Sequence, residues 1–177
     1  MIFKKALTET DLPPDPNKKM EVNGVVLKVT LKQKEQIDNY AEQMANKYHI
    51  DPAIFKKLVS IESEYDVRAK SDAGAIGLAQ LKPIAVSESA KYTKQNLNPH
   101  NWKHNLEMGA AILAHNLSVF KNYTAALAAY NQGVGAVNAF LRGEKKLKPE
   151  GQEYLTRMHS ENPYNPYSSG DPYIGNI

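Results

Sequence analysis

Apolar positions recur at three- and four-residue intervals in several separate stretches of this chain, a period that predicts a mainly helical protein. Ile37, Tyr40, Ala41, Met44 and Tyr48 form one such face, entered through Thr30 and Gln33 as a capping box. Asp51-Pro52 opens the next helix, with aspartate as N-cap and proline at the first helical position, where its missing donor is harmless. Ile54, Phe55, Leu58, Val59 and Ile61 supply its buried face. Leu106, Gly109, Ala110, Leu113 and Leu117 mark a helix expected at the centre of the core, with Gly109 permitting a close neighbour. Thr124, read as an N-cap, leads into the helix formers Ala125 to Ala129, and Gly133 and Gly135 are expected to break that helix.

The two ends read differently. Pro13, Pro14 and Pro16 oppose regular structure, while Asn23-Gly24 between Glu21-Val22 and Val25-Val26-Leu27 predicts a tight β-hairpin. At the other end, Asn162-Pro163-Tyr164 and Asn165-Pro166-Tyr167 repeat in tandem ahead of Ser168-Ser169-Gly170, a loop-forming composition. The expected organisation is an N-terminal arm over 1–30, one folded domain over 31–158 and a Pro/Tyr/Asn-rich tail over 159–177.

Glu62 stands out within the helix that Asp51-Pro52 opens. It lies four residues after Leu58 and three after Val59, so its carboxylate projects from the edge of the apolar stripe. Partial desolvation and the negative end of the helix dipole both favour its protonated form there, which is what delivering a proton to a departing oxygen requires. Taken alone, such a residue also fits a helix-end glutamate satisfied by Lys57 or by solvent. No partner carboxylate is evident at glycosidase spacing. Glu64 faces elsewhere if the helix continues, and Asp66 and Asp72 sit in turn-like sequence.

Three blocks surround this glutamate in meaning: Glu62-Ser63, then Ser71-Asp72-Ala73-Gly74-Ala75-Ile76-Gly77-Leu78-Ala79-Gln80, then Ala129-Tyr130-Asn131-Gln132-Gly133. In order and spacing they resemble the lytic transglycosylases, lysozyme-like enzymes that cut peptidoglycan, and the likeness runs from about Ile37 to Met158. The resemblance implies an α+β, mainly α, lysozyme-like domain with a small β element around residues 71–81 near the active site. It implies Glu62 as the catalytic acid and then base, Ser71 as a residue that helps position it, and Gln80, Tyr130 and Asn131 along the glycan groove. Pro149-Glu150-Gly151-Gln152-Glu153-Tyr154 resembles a further family region in which Tyr154 would meet substrate, with Gly151 where threonine is usual. Lys82 also departs from the pattern, which has a methionine there. It stands either beside the groove, facing the carboxylates of peptide stems, or snorkels into water.

With one carboxylate, the resemblance implies a substrate-assisted route. Glu62 protonates the oxygen between N-acetylmuramic acid and N-acetylglucosamine, then takes the proton of the muramic 6-hydroxyl as a 1,6-anhydro ring closes. A hydrolytic lysozyme of the goose type is the nearest alternative. A peptidoglycan-binding or structural virion protein that keeps the fold without cutting is another.

Composition narrows the rest. At 177 residues and 42% hydrophobic content the chain suits a single domain, with no apolar run near the length of a membrane span. Cysteine is absent, so disulfides give no clue to location. The opening Met1-Ile2-Phe3-Lys4-Lys5 is too short an apolar stretch for a secretory signal, and the expectation is action at the cell wall or periplasm after carriage in a phage particle or release by another protein. Partners of that kind, in a virion or envelope assembly, would engage the termini. The formal charge of the whole chain is +3, and because the tail holds Glu161 and Asp171 and no lysine or arginine, the body carries +5; a mildly basic body suits an anionic wall polymer. Basic residues come as pairs such as Lys18-Lys19, without interleaved aromatics, so nucleic acid is not an expected partner. His100 and His104 have metal-pair spacing but no third ligand, and neither a metal nor a cofactor is expected.

Overall fold

The structure, a computed structural model, describes residues 20–22, 25–27 and 29–159. Two short strands, β1 (Met20–Val22) and β2 (Val25–Leu27), pair antiparallel with Val22 opposite Val25. The remainder is helical: α1 (Leu31–Lys47), α2 (Pro52–Ser63), α3 (Pro83–Thr93), α4 (Trp102–Phe120), α5 (Tyr123–Gln132), α6 (Val134–Leu141) and α7 (Pro149–His159). The tail from residue 160 lies outside the described residues.

Local chemistry accounts for the helix starts. Thr30 and Gln33 form the reciprocal capping box, at 3.2 and 2.8 Å, and Asp51 accepts from Ala53 and Ile54 ahead of Pro52. Asn122, and not Thr124, caps α5, accepting from the Ala125 N–H at 2.9 Å. Thr124 is instead buried inside the first turn. Asparagine leads threonine as an N-cap and stood two residues earlier. The chain also re-enters helix directly after α5. Gly133, at φ +88°, is the hinge between α5 and α6, and Gly135 lies within α6.

Helix α4 is the spine. It packs against α1, α3 and α5, while α2 packs on α1 and α7, and α5 on α6 and α7. Its Leu106, Ala110 and Leu113 join Ile37 of α1, Phe55, Leu58 and Val59 of α2 and Leu155 of α7 in one core, all at most 1% exposed. Gly109 is the point of closest approach, where an added Cβ would lie 2.6 Å from the Ala79 Cβ and 3.0 Å from the Tyr130 hydroxyl oxygen. Gly109→Ala is therefore expected to destabilise the fold by about 1–3 kcal/mol through overpacking, and thermal unfolding followed by circular dichroism measures it.

The stretch around 71–81 forms a looped segment in place of the expected β element. Two isolated bridges, Lys70 with Ile76 and Ile76 with Leu81, are the extended pairing found there among the described residues. The ladder cannot propagate because Gly74, Gly77 and Gln80 take φ of +77°, +74° and +46°. Turn bonds replace it: Gly74 N–H to Ser71 O, Ser71 N–H to Ala75 O and Gln80 N–H to Gly77 O, at 2.9–3.1 Å.

Among the described residues no helix is long and apolar enough to cross a membrane, and no group of three or more metal-type ligands gathers. His104 has a local task, its Nδ1 accepting from the Asn98 N–H at 3.2 Å.

Candidate active site

Glu62 sits in the last turn of α2, which Glu64 and Tyr65 end by taking left-handed φ values of 51° and 63°. Glu64 therefore leaves the helix direction altogether and is exposed. Glu62 is half-buried, and its partial loss of water raises the carboxyl pKa from 4.5 to about 7. Burial is the leading cause. The neighbouring Tyr154 hydroxyl and the cations Lys82 and Arg157 pull the other way, and Glu150 adds a small upward push.

Comparison with the other withdrawn acid shows how unusual this is. Glu107, 7% exposed, receives Lys47 Nζ at 2.5 Å and the Tyr48 hydroxyl at 3.1 Å. That is a satisfied structural pair. Glu62 has no such ion pair among the described residues. A half-buried acid without a cation bound to it holds its proton up to about neutral pH, where it can donate.

Two tyrosines complete the surroundings. Tyr154 of α7 is 6% exposed, and its hydroxyl is near enough to Glu62 to favour the carboxylate, yet it lacks the distance and angle of a made hydrogen bond and has no other partner. A buried, unpartnered hydroxyl beside an acid is costly unless something binds there. Tyr130 of α5 donates to the Ala79 carbonyl at 2.8 Å, so its one hydrogen is committed and only acceptor capacity remains. Burial and the charge of Glu62 both hold the two phenols well above their ordinary pKa.

The other sequence-predicted residues separate into two groups. Asn131, half-buried in the last turn of α5, makes no side-chain hydrogen bond to the described residues, leaving an amide for a ligand. Ser71 and Gln80 are bound within their own loop: Ser71 Oγ accepts from the Ala75 N–H at 3.1 Å, and Gln80 Nε2 donates to Gly77 O at 3.0 Å. Ser71 makes no bond to Glu62. Its part is to shape the loop that brings Gln80 and Lys82 round to α3.

Asn105 was not legible as a site residue, yet it holds that loop. Buried on α4, it accepts from the Ala79 N–H at 2.8 Å and donates to the carbonyls of Ile76 and Pro99, both at 3.1 Å. Gly77 lies directly against it, and a Cβ there would meet the Asn105 amide at 2.4 Å. The signal available was a polar residue inside an apolar helical stripe. Arg157 and Glu150, which reach Glu62 electrostatically, carried no local signal.

A partly open apolar pocket between α5, α6 and α7, lined by Ala128, Val137, Phe140 and Leu155 among others, includes none of these residues.

Comparison with known proteins bears on the family and the fold. The Transglycosylase SLT domain family matches residues 39–152, a span holding Glu62, the glycine loop, Tyr130 and the start of α7. A transglycosylase of Enterobacteria phage PRD1 is 35% identical over 91 residues, covering 51% of this chain and 32% of the phage protein. Among solved structures, an inactive mutant of the lytic transglycosylase Slt from Pseudomonas aeruginosa superposes with a TM-score of 0.62 at 24% identity, over 68% of this chain and 22% of that one. The 70-kDa soluble lytic transglycosylase of Escherichia coli gives 0.62 at 20% identity, over 71% and 24%. The chain thus spans about a third of the phage relative and about a quarter of the bacterial structures, and those structures fix its fold. By the extent of the family match, this chain belongs to the transglycosylase SLT domain family.

Proposed function

We propose that the chain is a peptidoglycan lytic transglycosylase that cleaves the β-1,4 linkage between N-acetylmuramic acid and N-acetylglucosamine, with Glu62 as acid and then base. The observation that carries this reading is the half-buried Glu62 carboxyl in a fold of the SLT family, with no ion pair among the described residues and its pKa raised to about 7. Glu62 donates its proton to the glycosidic oxygen as the bond to C1 breaks, and the N-acetyl carbonyl oxygen supports the cationic C1. The resulting carboxylate takes the proton of the 6-hydroxyl, whose oxygen closes on C1. No water is consumed, and Glu62 ends as it began. Tyr154, Asn131 and Gln80 contact the glycan in this reading, and Tyr130 stays bonded to the Ala79 carbonyl.

Most hydrolytic glycosidases use a second carboxylate to hold a water or form a glycosyl intermediate. Glu150 is the acid that influences Glu62, but it is exposed in the first turn of α7 and its effect is the smallest of those acting there. Digested peptidoglycan is therefore expected to yield muramyl ends 18 Da lighter than hydrolytic ones, the mass of the water not added, about the difference that mass spectrometry resolves routinely. Reducing ends carrying that water would overturn the lyase reading and leave a lysozyme. The phage relative supports action on a host wall reached with a particle, and a partner at either terminus would serve that delivery.

A further inference from the structure

One side chain of α5 clamps the start of α7. Gln132, the last residue of α5, accepts from the Lys148 N–H at 3.0 Å through Oε1 and donates to the Lys148 carbonyl through Nε2 at 3.3 Å. Lys148 immediately precedes Pro149, and its carbonyl also takes the N–H groups of Gly151 and Gln152, at 2.9 and 3.1 Å. One amide thus clamps both backbone groups of the residue from which α7 starts. Gly151, in the first turn of α7, makes the seat: an added Cβ would lie 1.3 Å from Gln132 Nε2 and 2.4 Å from its Cδ. No side chain at 151 is compatible with Gln132 where it is.

Gly151 is three residues before Tyr154, which puts the two on adjacent turns of one helix face. Gln132 is two residues beyond Tyr130 and next to Asn131. The clamp therefore ties the helix end that carries Tyr130 and Asn131 to the helix start that carries Tyr154. The Tyr154 hydroxyl makes no hydrogen bond to the described residues, so its place relative to Glu62 depends on the seating of α7 in the core. We propose that Gln132 is a positioning residue: seated on Gly151 and bonded to Lys148, it sets the first turn of α7 and, through it, the Tyr154 hydroxyl beside Glu62.

This inference rests on the reading of Glu62 as the catalytic acid for its kinetic consequence, but its test has a readout that needs no turnover. The Gln132 side chain is half-buried, so a methyl group at 151 expels it into water and does not crush the helix. Gly151→Ala and Gln132→Ala then remove the same clamp. Each is expected to lower kcat about tenfold, the scale of a small misplacement of a catalytic group, with KM less affected. The double variant is expected to be no worse than either single one. Gly151→Ala also gains helix propensity, so its melting temperature holds or rises while its rate falls, which loss of fold would not produce. NMR titration of the Glu62 carboxyl should show its midpoint moving upward by the same amount in all three variants, because the Tyr154 hydroxyl that favours the carboxylate has drifted. Effects of the two substitutions that add, or a Glu62 titration unchanged in all three, would overturn the proposal. A Glu62→Gln variant that still cleaves would refute the acid assignment and leave the titration result intact.

Discussion

Glu62→Gln is expected to abolish cleavage of peptidoglycan while leaving the fold intact and, above neutral pH, more stable. A positioned acid contributes about 10²–10⁴ in rate, and here one group serves both proton transfers, so the loss falls at or beyond the upper end. The amide keeps the shape and most of the packing of the carboxyl. The stability effect follows from the raised pKa. A carboxyl whose pKa rises from 4.5 to about 7 on folding binds its proton more tightly in the native state, so native stability is full below 4.5 and declines as pH rises through about 7. Glutamine carries no charge to bury. At pH 8 the variant should exceed the wild type by about 2–3 kcal/mol, and at pH 4 the two should coincide. Thermal unfolding at both pH values, beside turbidity clearing of purified cell walls, gives the comparison. Clearing at the wild-type rate would remove Glu62 from the chemistry, and a lower melting temperature at both pH values would make it a structural residue.

Much of this site was legible because its signals are local. Asp51-Pro52 fixes the start of α2, and the period from Ile54 to Ile61 fixes its face, so the position of Glu62 at the border of the core followed from counting. The rise in its pKa followed too, although burial is the cause that dominates and the helix dipole is not needed. What sequence could not give depends on pairs far apart in the chain. Asn105 meets the loop 26 and 29 residues earlier, and Gln132 meets Lys148 16 residues later. Neither asparagine nor glutamine announces a partner. Gly151 stands where threonine is usual, and in the structure that glycine seats Gln132 while Tyr154 lies beside Glu62. Helix α3 was missed because its faces differ little in polarity; it buries Ser89 and Thr93 toward α4, and Lys82-Pro83 was the one local sign of its start. The β element expected near 71–81 failed for the opposite reason. Three left-handed residues within seven positions reduce it to isolated bridges.

The pH dependence of cleavage is the second large effect, and it also decides what Lys82 does. If Glu62 must begin protonated with a pKa of about 7, the rate falls about tenfold for each pH unit above that value, reaching about one hundredth at pH 9. Lys82 is exposed at the N-cap of α3, makes no side-chain hydrogen bond there, and its charge draws the pKa of Glu62 down. Lys82→Met removes that charge, so the acid stays protonated further into the alkaline range. The variant should match the wild type below pH 6, surpass it several-fold at pH 8 to 9, and lose that advantage in high salt, which screens the lysine of the wild type. This outcome belongs to a lysine that acts on Glu62 through space alone. A lysine that instead holds the carboxylates of peptide stems gives a different pattern, in which Lys82→Met raises KM on wall fragments bearing stems and leaves KM unchanged on bare glycan. Measuring kcat and KM across pH on both substrates separates the two, and a profile with no alkaline limb near 7 on either would mean that the proton comes from another group.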